Sequence, residues 1–429
     1  MVSCPKNRNG AIMDIKREYY LDQIKIRENN GLVKVITGVR RCGKSYLLFK
    51  LFLNVLLDSG IPRDHIIDIA LDNIENDELR EPHSLYKYVK SLIVDGEQYY
   101  IMLDEIQYVE KFSEVLNGLL QLENVDIYVT GSNSKFLSSD ILTEFRGRGD
   151  EIRVYPLSFA EYITAYDGAE EDAFNDYMTF GGLPRILSMK NDDQKSKYLA
   201  DLFKETYLKD IIEHNKIKNT NEMEDLVNIL ASAIGSLTNP KKLENTFHTV
   251  MKSDITDKTI KTYIDYLRDA FLVDSAIRYD IKGKKYINTP MKIYFIDPGL
   301  RNARLGFRQI EETHLMENII YNELRRRGYL VDIGIVEIRE NGGEGKRVRK
   351  QLEVDFIAYK GNRKYYIQSA FAMPDEEKRQ QEERPLLNIN DSFKKVVIVG
   401  SYTKLKRDDM GITTMGIRQF LKEPNSLDL

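Results

Sequence analysis

The chain has 429 residues, of which 42% are hydrophobic and 30% charged, with a formal net charge of −4; this describes an ordinary soluble protein of two or three domains, with no low-complexity tract. The longest apolar runs are far too short to span a bilayer and the first residues, MVSCPKNRNGAIMDIKREYY, contain no apolar signal core, so the reading is cytoplasmic with no membrane partner. The two cysteines, Cys4 and Cys42, exclude a disulfide framework and a cysteine metal site.

In chain order, Ile15 to Ile26 (IKREYYLDQIKI) has a helical pattern, suited either to covering a bound adenine or simply to packing. Leu32 to Thr37 then reads as a buried strand and runs into GVRRCGKS, followed by the apolar helical pattern YLLFKLFLNVLL. This is a phosphate-binding loop in its strand-loop-helix setting. Gly38 and Gly43 let the backbone of Val39, Arg40, Arg41 and Cys42 wrap a phosphate at the positive end of the next helix, which Tyr46 enters. Lys44 reaches the β and γ phosphates of ATP, and the Ser45 hydroxyl is a ligand for Mg²⁺. Cys42 reads as a small tolerated residue rather than a redox switch.

Further strands are expected at Ile66 to Leu71, Tyr99 to Leu103, Val125 to Thr130 and Glu151 to Tyr155, with helices at Ser84 to Ile93 and Val109 to Leu122 between them. Several are continuous apolar runs, as in a parallel sheet buried on both faces. The third delivers Asp104 and Glu105 at its carboxyl end, beside the phosphates. Asp104 is the expected holder of Mg²⁺ and Glu105 the group that polarises the attacking water. After the fourth strand, Asn133, with Ser132 next, can touch the γ-phosphate. Arg146 or Arg148 in FRGRG can act as an arginine finger, on the chain's own ATP or in trans in a homo-oligomeric ring.

GVRRCGKS, LDEIQ, TGSNS, GRGDEIRVYPLSFAEY and GGLPR (Gly181 to Arg185) together resemble the bacterial and archaeal AAA-type P-loop ATPases that carry a carboxyl-terminal domain of uncharacterised role. The resemblance covers nearly the whole chain and implies an AAA-like core, a winged-helix segment and a restriction-endonuclease-like end domain. GGLPR also resembles the lid motif of signal-transducing ATPases, which implies that Pro184 packs near the adenine.

Residues 186 to 220 read as a charged helical connector. Helices at Glu222 to Ile234, Pro240 to Met251 and Thr256 to Ala270, followed by a two-strand ribbon turning at Gly283, have the winged-helix order. From Pro240 to Arg308 there are 14 Lys and Arg against 8 Asp and Glu, a local balance of +6 inside a chain of −4. Lys258, Lys261 and Arg268 on the third helix, with Lys282, Lys284 and Lys285 in the wing, are the expected contacts to DNA, branched or duplex. From about Thr313, a helix with Glu317, a strand with Asp355 and a strand ending at Gln368 and Ala370 outline a metal-dependent nuclease site lacking its second carboxylate and its lysine. Lys364 or Lys378 are candidates for a migrated lysine; otherwise nuclease activity is not expected.

The resulting fold class is α/β: a three-layer P-loop domain (1–160), a helical lid and connector (161–220), a winged-helix module (221–308) and a catalytically inactive nuclease-like domain (309–429). The expected function is Mg²⁺-dependent ATP hydrolysis coupled to binding or remodelling of DNA. The alternatives are a nucleotide-controlled signalling switch that recognises a protein partner, and an ATP-gated nuclease.

Overall fold

A computed structural model describes residues 15–131, 147–341 and 347–429. Helix α1 (Glu18–Lys25) precedes strand β1 (Val33–Thr37), which is buried along its whole length. Strands β2 (Ile66–Ala70), β3 (Tyr99–Asp104), β4 (Val125–Thr130) and β5 (Gly149–Arg153) join β1 in a parallel sheet of order β2-β3-β4-β1-β5. All five lie within two residues of their expected limits. β5 ends early because the Tyr155 N–H leaves the ladder and donates to the Tyr20 hydroxyl of α1 at 3.0 Å.

Alternation along the strands sends side chains to two layers. Val33, Val35, Ile101, Leu103, Ile127 and Val129 face helices α3 (Pro82–Leu92) and α4 (Phe112–Leu119). Ile36, Met102 and Tyr128 face helix α2, which runs from Lys44–Tyr46 through a π-helical Leu47–Phe52 to Leu53–Asp58. The sheet thus has helices on both faces, the arrangement its apolar strands require.

Helices α5 (Phe159–Thr164) and α6 (Glu170–Phe180) follow, then a 3₁₀ turn at Pro184–Ser188 and helix α7, which is Asp192–Leu202 continued by Phe203–Leu208 and Lys209–His214. Next come α8 (Thr220–Ser232), a short strand β6 (Leu237–Thr238), α9 (Pro240–Thr246, extended by Phe247–Met251), α10 (Asp257–Asp269) and the antiparallel strands β7 (Val273–Asp280) and β8 (Lys285–Phe295). α10 buries Ile260, Tyr263, Ile264 and Leu267, one stripe at helical spacing.

Helix α11 (Pro298–Arg304) leads to α12 (Glu312–Arg326), β9 (Leu330–Asn341), β10 (Arg347–Lys360), β11 (Arg363–Ala370), α13 (Glu376–Leu387), β12 (Lys394–Val399), β13 (Lys406–Arg407), β14 (Ile412–Gly416) and α14 (Ile417–Lys422). The β7–β8 ribbon and the carboxyl-terminal strands form one nine-stranded sheet, order β13-β14-β12-β11-β10-β9-β7-β8-β6. The join is a parallel pairing of Arg278 with Ile333 through Asp280 with Ile335. Among the described residues, no helix is long and apolar enough to cross a membrane.

Candidate functional site

A cleft of about 880 Å³ opens at the carboxyl end of the parallel sheet, lined by Arg40, Arg41, Gly43, Lys44, Ser45 and Tyr46 from the phosphate loop, and by Asp104 and Glu105 from the end of β3. The loop geometry depends on glycine at two points. Gly38 has φ +136°, and a Cβ there would lie 2.1 Å from the Val154 carbonyl oxygen of the neighbouring strand connection; Gly43 has φ +101°. Gly38→Ala therefore has to shift the loop away from β5, at roughly 1–3 kcal/mol of strain. It is expected to weaken binding of a fluorescent ATP analogue by about tenfold or more in an equilibrium titration.

Lys44 is buried and its ammonium donates to the carbonyls of Gly38 (2.8 Å) and Val39 (3.2 Å), which holds the charge inside the loop's own turn. The Ser45 hydroxyl donates to Asp104 Oδ1 at 3.0 Å, and the Thr130 hydroxyl donates to the same oxygen. Thr130 in turn accepts from the Glu105 N–H at 3.0 Å. β4 lies between β1 and β3, so Thr130 at its end is the natural bridge between the loop and the two carboxylates. Burial pushes the Asp104 carboxyl above the usual aspartate range, while Thr130 and Ser45 pull it back.

Glu105 has φ +53°, an uncommon conformation for a side chain of its size, and its carboxylate accepts from the Gln107 amide. Among the described residues no three Asp, Glu, His or Cys side chains are grouped to hold a metal. The oxygen pair of Ser45 and Asp104 suits Mg²⁺ held jointly by protein and phosphates, the usual mode for that ion.

The other wall comes from outside the sheet. Ile15, Leu157 and Pro184 supply apolar lining, and Arg185, Tyr198 and Thr206 the roof. α7 grips the loop tip: the Tyr207 hydroxyl donates to the Arg40 carbonyl at 2.7 Å and Asp210 pairs with Arg40 at 2.7 Å. Arg17 is buried beneath the loop, donating to the carbonyls of Cys42 (3.0 Å) and Tyr155 (2.8 Å) and pairing with Glu161 at 3.1 Å. Val39 and Cys42 are buried under it as well.

GGLPR is fastened to the segment after β8. Asp297, buried, accepts from the Gly182 N–H at 2.7 Å and from the Leu300 N–H at 3.0 Å while capping α11. Gly181 has φ +77° and no room for a Cβ, which would lie 2.0 Å from Asp297 Oδ1. Burial raises the Asp297 carboxyl to about 6 against the pull of these N–H groups.

Asn133, Ser132 and Arg146 lie outside the described residues. Arg148 is exposed, donates to Asn117 at 3.0 Å, and its carbonyl accepts from Val33 at the start of β1. It therefore sits at the end of the sheet opposite the loop, one strand length or roughly 16 Å away, which rules out its acting as a finger on its own chain's cleft. Lys258, Lys261 and Arg268 are exposed on α10, Arg268 beside Asp265 at 3.6 Å. Lys282, Lys284 and Lys285 are exposed around the β7–β8 turn, and the Lys282 ammonium donates to the Glu337 carbonyl at 2.9 Å.

Glu317 of α12, Asp355 of β10 and Gln368 of β11 lie near one another, and neither candidate lysine pairs with Glu317 or Asp355. Lys364 pairs with Asp391 (3.7 Å) and Lys378 with Glu382 (2.7 Å). The lysine that stands there is Lys292 of β8, 2.8 Å from Glu317, 2.8 Å from Glu353 and 3.6 Å from Asp355. Sequence reading missed Arg17, Thr130, Arg185, Asp297 and Lys292. Thr130 and Arg185 lie within the motifs TGSNS and GGLPR but were given no role, whereas Asp297 and Lys292 are marked only by a charge within an apolar strand or at its end.

A family model described as an AAA domain matches residues 30–163, and a model of a domain of unknown function matches residues 171–311. An uncharacterized protein of Haemophilus influenzae is 34% identical over 394 residues, covering 90% of this chain and 94% of its own. An uncharacterized protein of Methanocaldococcus jannaschii is 29% identical over 375 residues, covering 84% of this chain and 78% of its own. Among solved structures, the ADP form of the Aeropyrum pernix ORC2 protein aligns with 73% of this chain and 97% of its own at 11% identity and a TM-score of 0.35, too distant to support an assignment.

Proposed function

Because this chain belongs to the same P-loop AAA-type family as its Haemophilus relative, we propose that it binds ATP with Mg²⁺, hydrolyses it, and couples the cycle to DNA. The observation that carries the reading is the convergence of Lys44, Ser45, Asp104 and Glu105 on one cleft. In the proposed reaction the loop N–H groups and Lys44 would neutralise the β and γ phosphates, and Ser45 with Asp104 would hold Mg²⁺. Glu105 takes the proton of the attacking water. Bound Mg²⁺ supplies charge neutralisation on the phosphate oxygens. Arg185, the charged residue of the roof, is the group best situated to meet the γ-phosphate from that side. Arg148, at the opposite end of the sheet, serves a neighbouring subunit.

Residues 1–160 are the ATPase domain in this reading, 161–220 its lid and connector, and 221–308 a winged-helix module with α10 as the recognition helix. The exposed Lys258 and Lys261 and the local excess of positive charge support DNA as the object of hydrolysis. Residues 309–429 are a nuclease-like domain that does not cleave, since Gln368 and Ala370 remove the charges such chemistry needs.

The test is ATP turnover with and without duplex DNA, alongside DNA affinity as a function of salt. DNA is expected to stimulate turnover, and Lys258→Ala/Lys261→Ala to remove about two units from the slope of log affinity against log salt. Tight nucleotide binding with negligible turnover, unchanged by DNA, would favour the signalling switch. The stitching of α7 to Arg40 through Tyr207 and Asp210 gives such a switch a direct contact between the phosphate loop and the connector.

A further inference from the structure

We infer that the Lys292 ammonium is the resident cation of the end sheet, standing between Glu317, Glu353 and Asp355 and holding these carboxylates around itself rather than grouped for a divalent metal, so that the cluster is metal-free by construction. The inference rests on the reading of residues 309–429 as a non-cleaving nuclease-like fold.

Lys292 lies on β8 and the carboxylates on α12 and β10, so the lysine comes from the ribbon that joins the end sheet from one side. Lys292 and Tyr294, two apart on one face of the strand, both reach Glu317. The ammonium pairs with Glu317 Oε1 at 2.8 Å, and the Tyr294 hydroxyl donates to the same oxygen at 2.6 Å. Glu353 gives a second contact at 2.8 Å, and Asp355 Oδ1 stands at 3.6 Å. The other Asp355 oxygen accepts the Ser369 N–H at 2.8 Å. Lys292 is 4% exposed, so it has no route to the phosphodiester of a bound nucleic acid, which separates it from a migrated catalytic lysine.

Electrostatics favours the lysine as occupant. Burial by itself disfavours the ammonium, but the three carboxylates around it more than reverse that and raise the lysine's proton affinity. Mg²⁺ would need these same oxygens at about 2.0–2.1 Å, and it would have to stand beside a buried positive charge or expel it. Gln368 completes the exclusion. Its amide oxygen faces the Asp355 N–H at 3.4 Å and its amide nitrogen donates to Glu382 at 3.2 Å, so it adds no negative charge to the cluster. The uncharged Gln368 and the buried Lys292 act in the same direction, and the ion pairs of Lys292 with Glu317 and Glu353 clamp the ribbon to the end domain.

The test is Mn²⁺ binding to the full-length, nucleotide-free protein, followed by electron paramagnetic resonance of free Mn²⁺, with thermal unfolding and plasmid nicking in parallel. Wild type and Asp355→Asn are expected to bind the same number of Mn²⁺ ions and to leave supercoiled DNA intact. Lys292→Met is expected to melt lower by on the order of 5 °C in chelator, to bind one additional Mn²⁺ per chain and to regain part of its stability with it. Lys292→Met/Asp355→Asn should lose both gains. Lys292→Gln replaces the methionine variant should that one not fold.

A wild-type Mn²⁺ site lost on Asp355→Asn overturns the inference, as does a Lys292 variant that takes up no additional metal. Mn²⁺-dependent nicking by wild type, lost on Asp355→Asn, overturns the non-cleaving reading as well. Wild-type binding without nicking overturns the inference alone.

Discussion

Glu105→Gln is expected to leave ATP affinity within a few-fold of wild type and to lower turnover by about 10²–10⁴, the usual contribution of a general base. The amide keeps the size of the side chain and can still meet Gln107, so the strained backbone at φ +53° and the Thr130 hydrogen bond to the Glu105 N–H remain in place. What is lost is the capacity to take a proton. The comparison that gives this meaning is Asp104→Asn, which alters an oxygen shared by Ser45 and Thr130 and should instead weaken the dependence on Mg²⁺. Single-turnover hydrolysis and equilibrium nucleotide binding, measured on both variants, separate the two roles. Unchanged hydrolysis in Glu105→Gln would remove Glu105 from the chemistry.

The half of the cleft made by local sequence is legible in the residues alone. GVRRCGKS contains its own geometry because two glycines, a lysine and a serine must fall at fixed spacing between a strand and a helix, and LDE ends a strand whose apolar run marks it as buried. The opposite wall is not legible in the same way. Pro184 is expected near the base from GGLPR alone, but Arg17, Tyr207 and Asp210 reach the loop across separations that no periodicity encodes.

The ribbon shows the same limit. Its two strands and turn are clear in IRYDIKGKKYINTPMKIYFID, yet nothing local says that Arg278 to Asp280 pairs with Ile333 to Ile335 and fuses the ribbon to the next sheet. Lys292 could have been flagged as a charge on the face shared with Tyr294, an inward position in an apolar strand. Its partners could not, because Glu317, Glu353 and Asp355 converge only in three dimensions.

Asp297→Ala is expected to lower stability by about 2–4 kcal/mol at pH 7 and to raise the KM for ATP more than it changes kcat. The stability loss follows from removing the cap of α11, the bond from the Leu300 N–H, typically about 1 kcal/mol, and from leaving the Gly182 N–H buried without its acceptor, about 1–3 kcal/mol. The effect on KM follows from position. Gly182 immediately precedes Leu183-Pro184-Arg185, and Pro184 and Arg185 line the cleft, so releasing Gly182 releases the wall that meets the nucleotide.

The pH dependence has a definite sign. An aspartate raised from 3.8 to about 6 by burial holds its proton more tightly when folded. The proton-linked part of its contribution to stability is therefore fully present below pH 3.8 and is lost as pH rises through 6, a difference of about 3 kcal/mol, while the hydrogen bonds to Gly182 and Leu300 remain. Asp297→Asn removes that titration. The stability advantage of wild type over Asp297→Asn should be largest below pH 3.8, shrink by about 3 kcal/mol by pH 7, and stay constant above it, as read from urea midpoints and slopes. A pH-independent difference between the two proteins would mean that Asp297 is already ionised at no expense when folded. A normal KM in Asp297→Ala, with stability reduced, would mean that the wall of the cleft is held by its own packing rather than by this carboxylate.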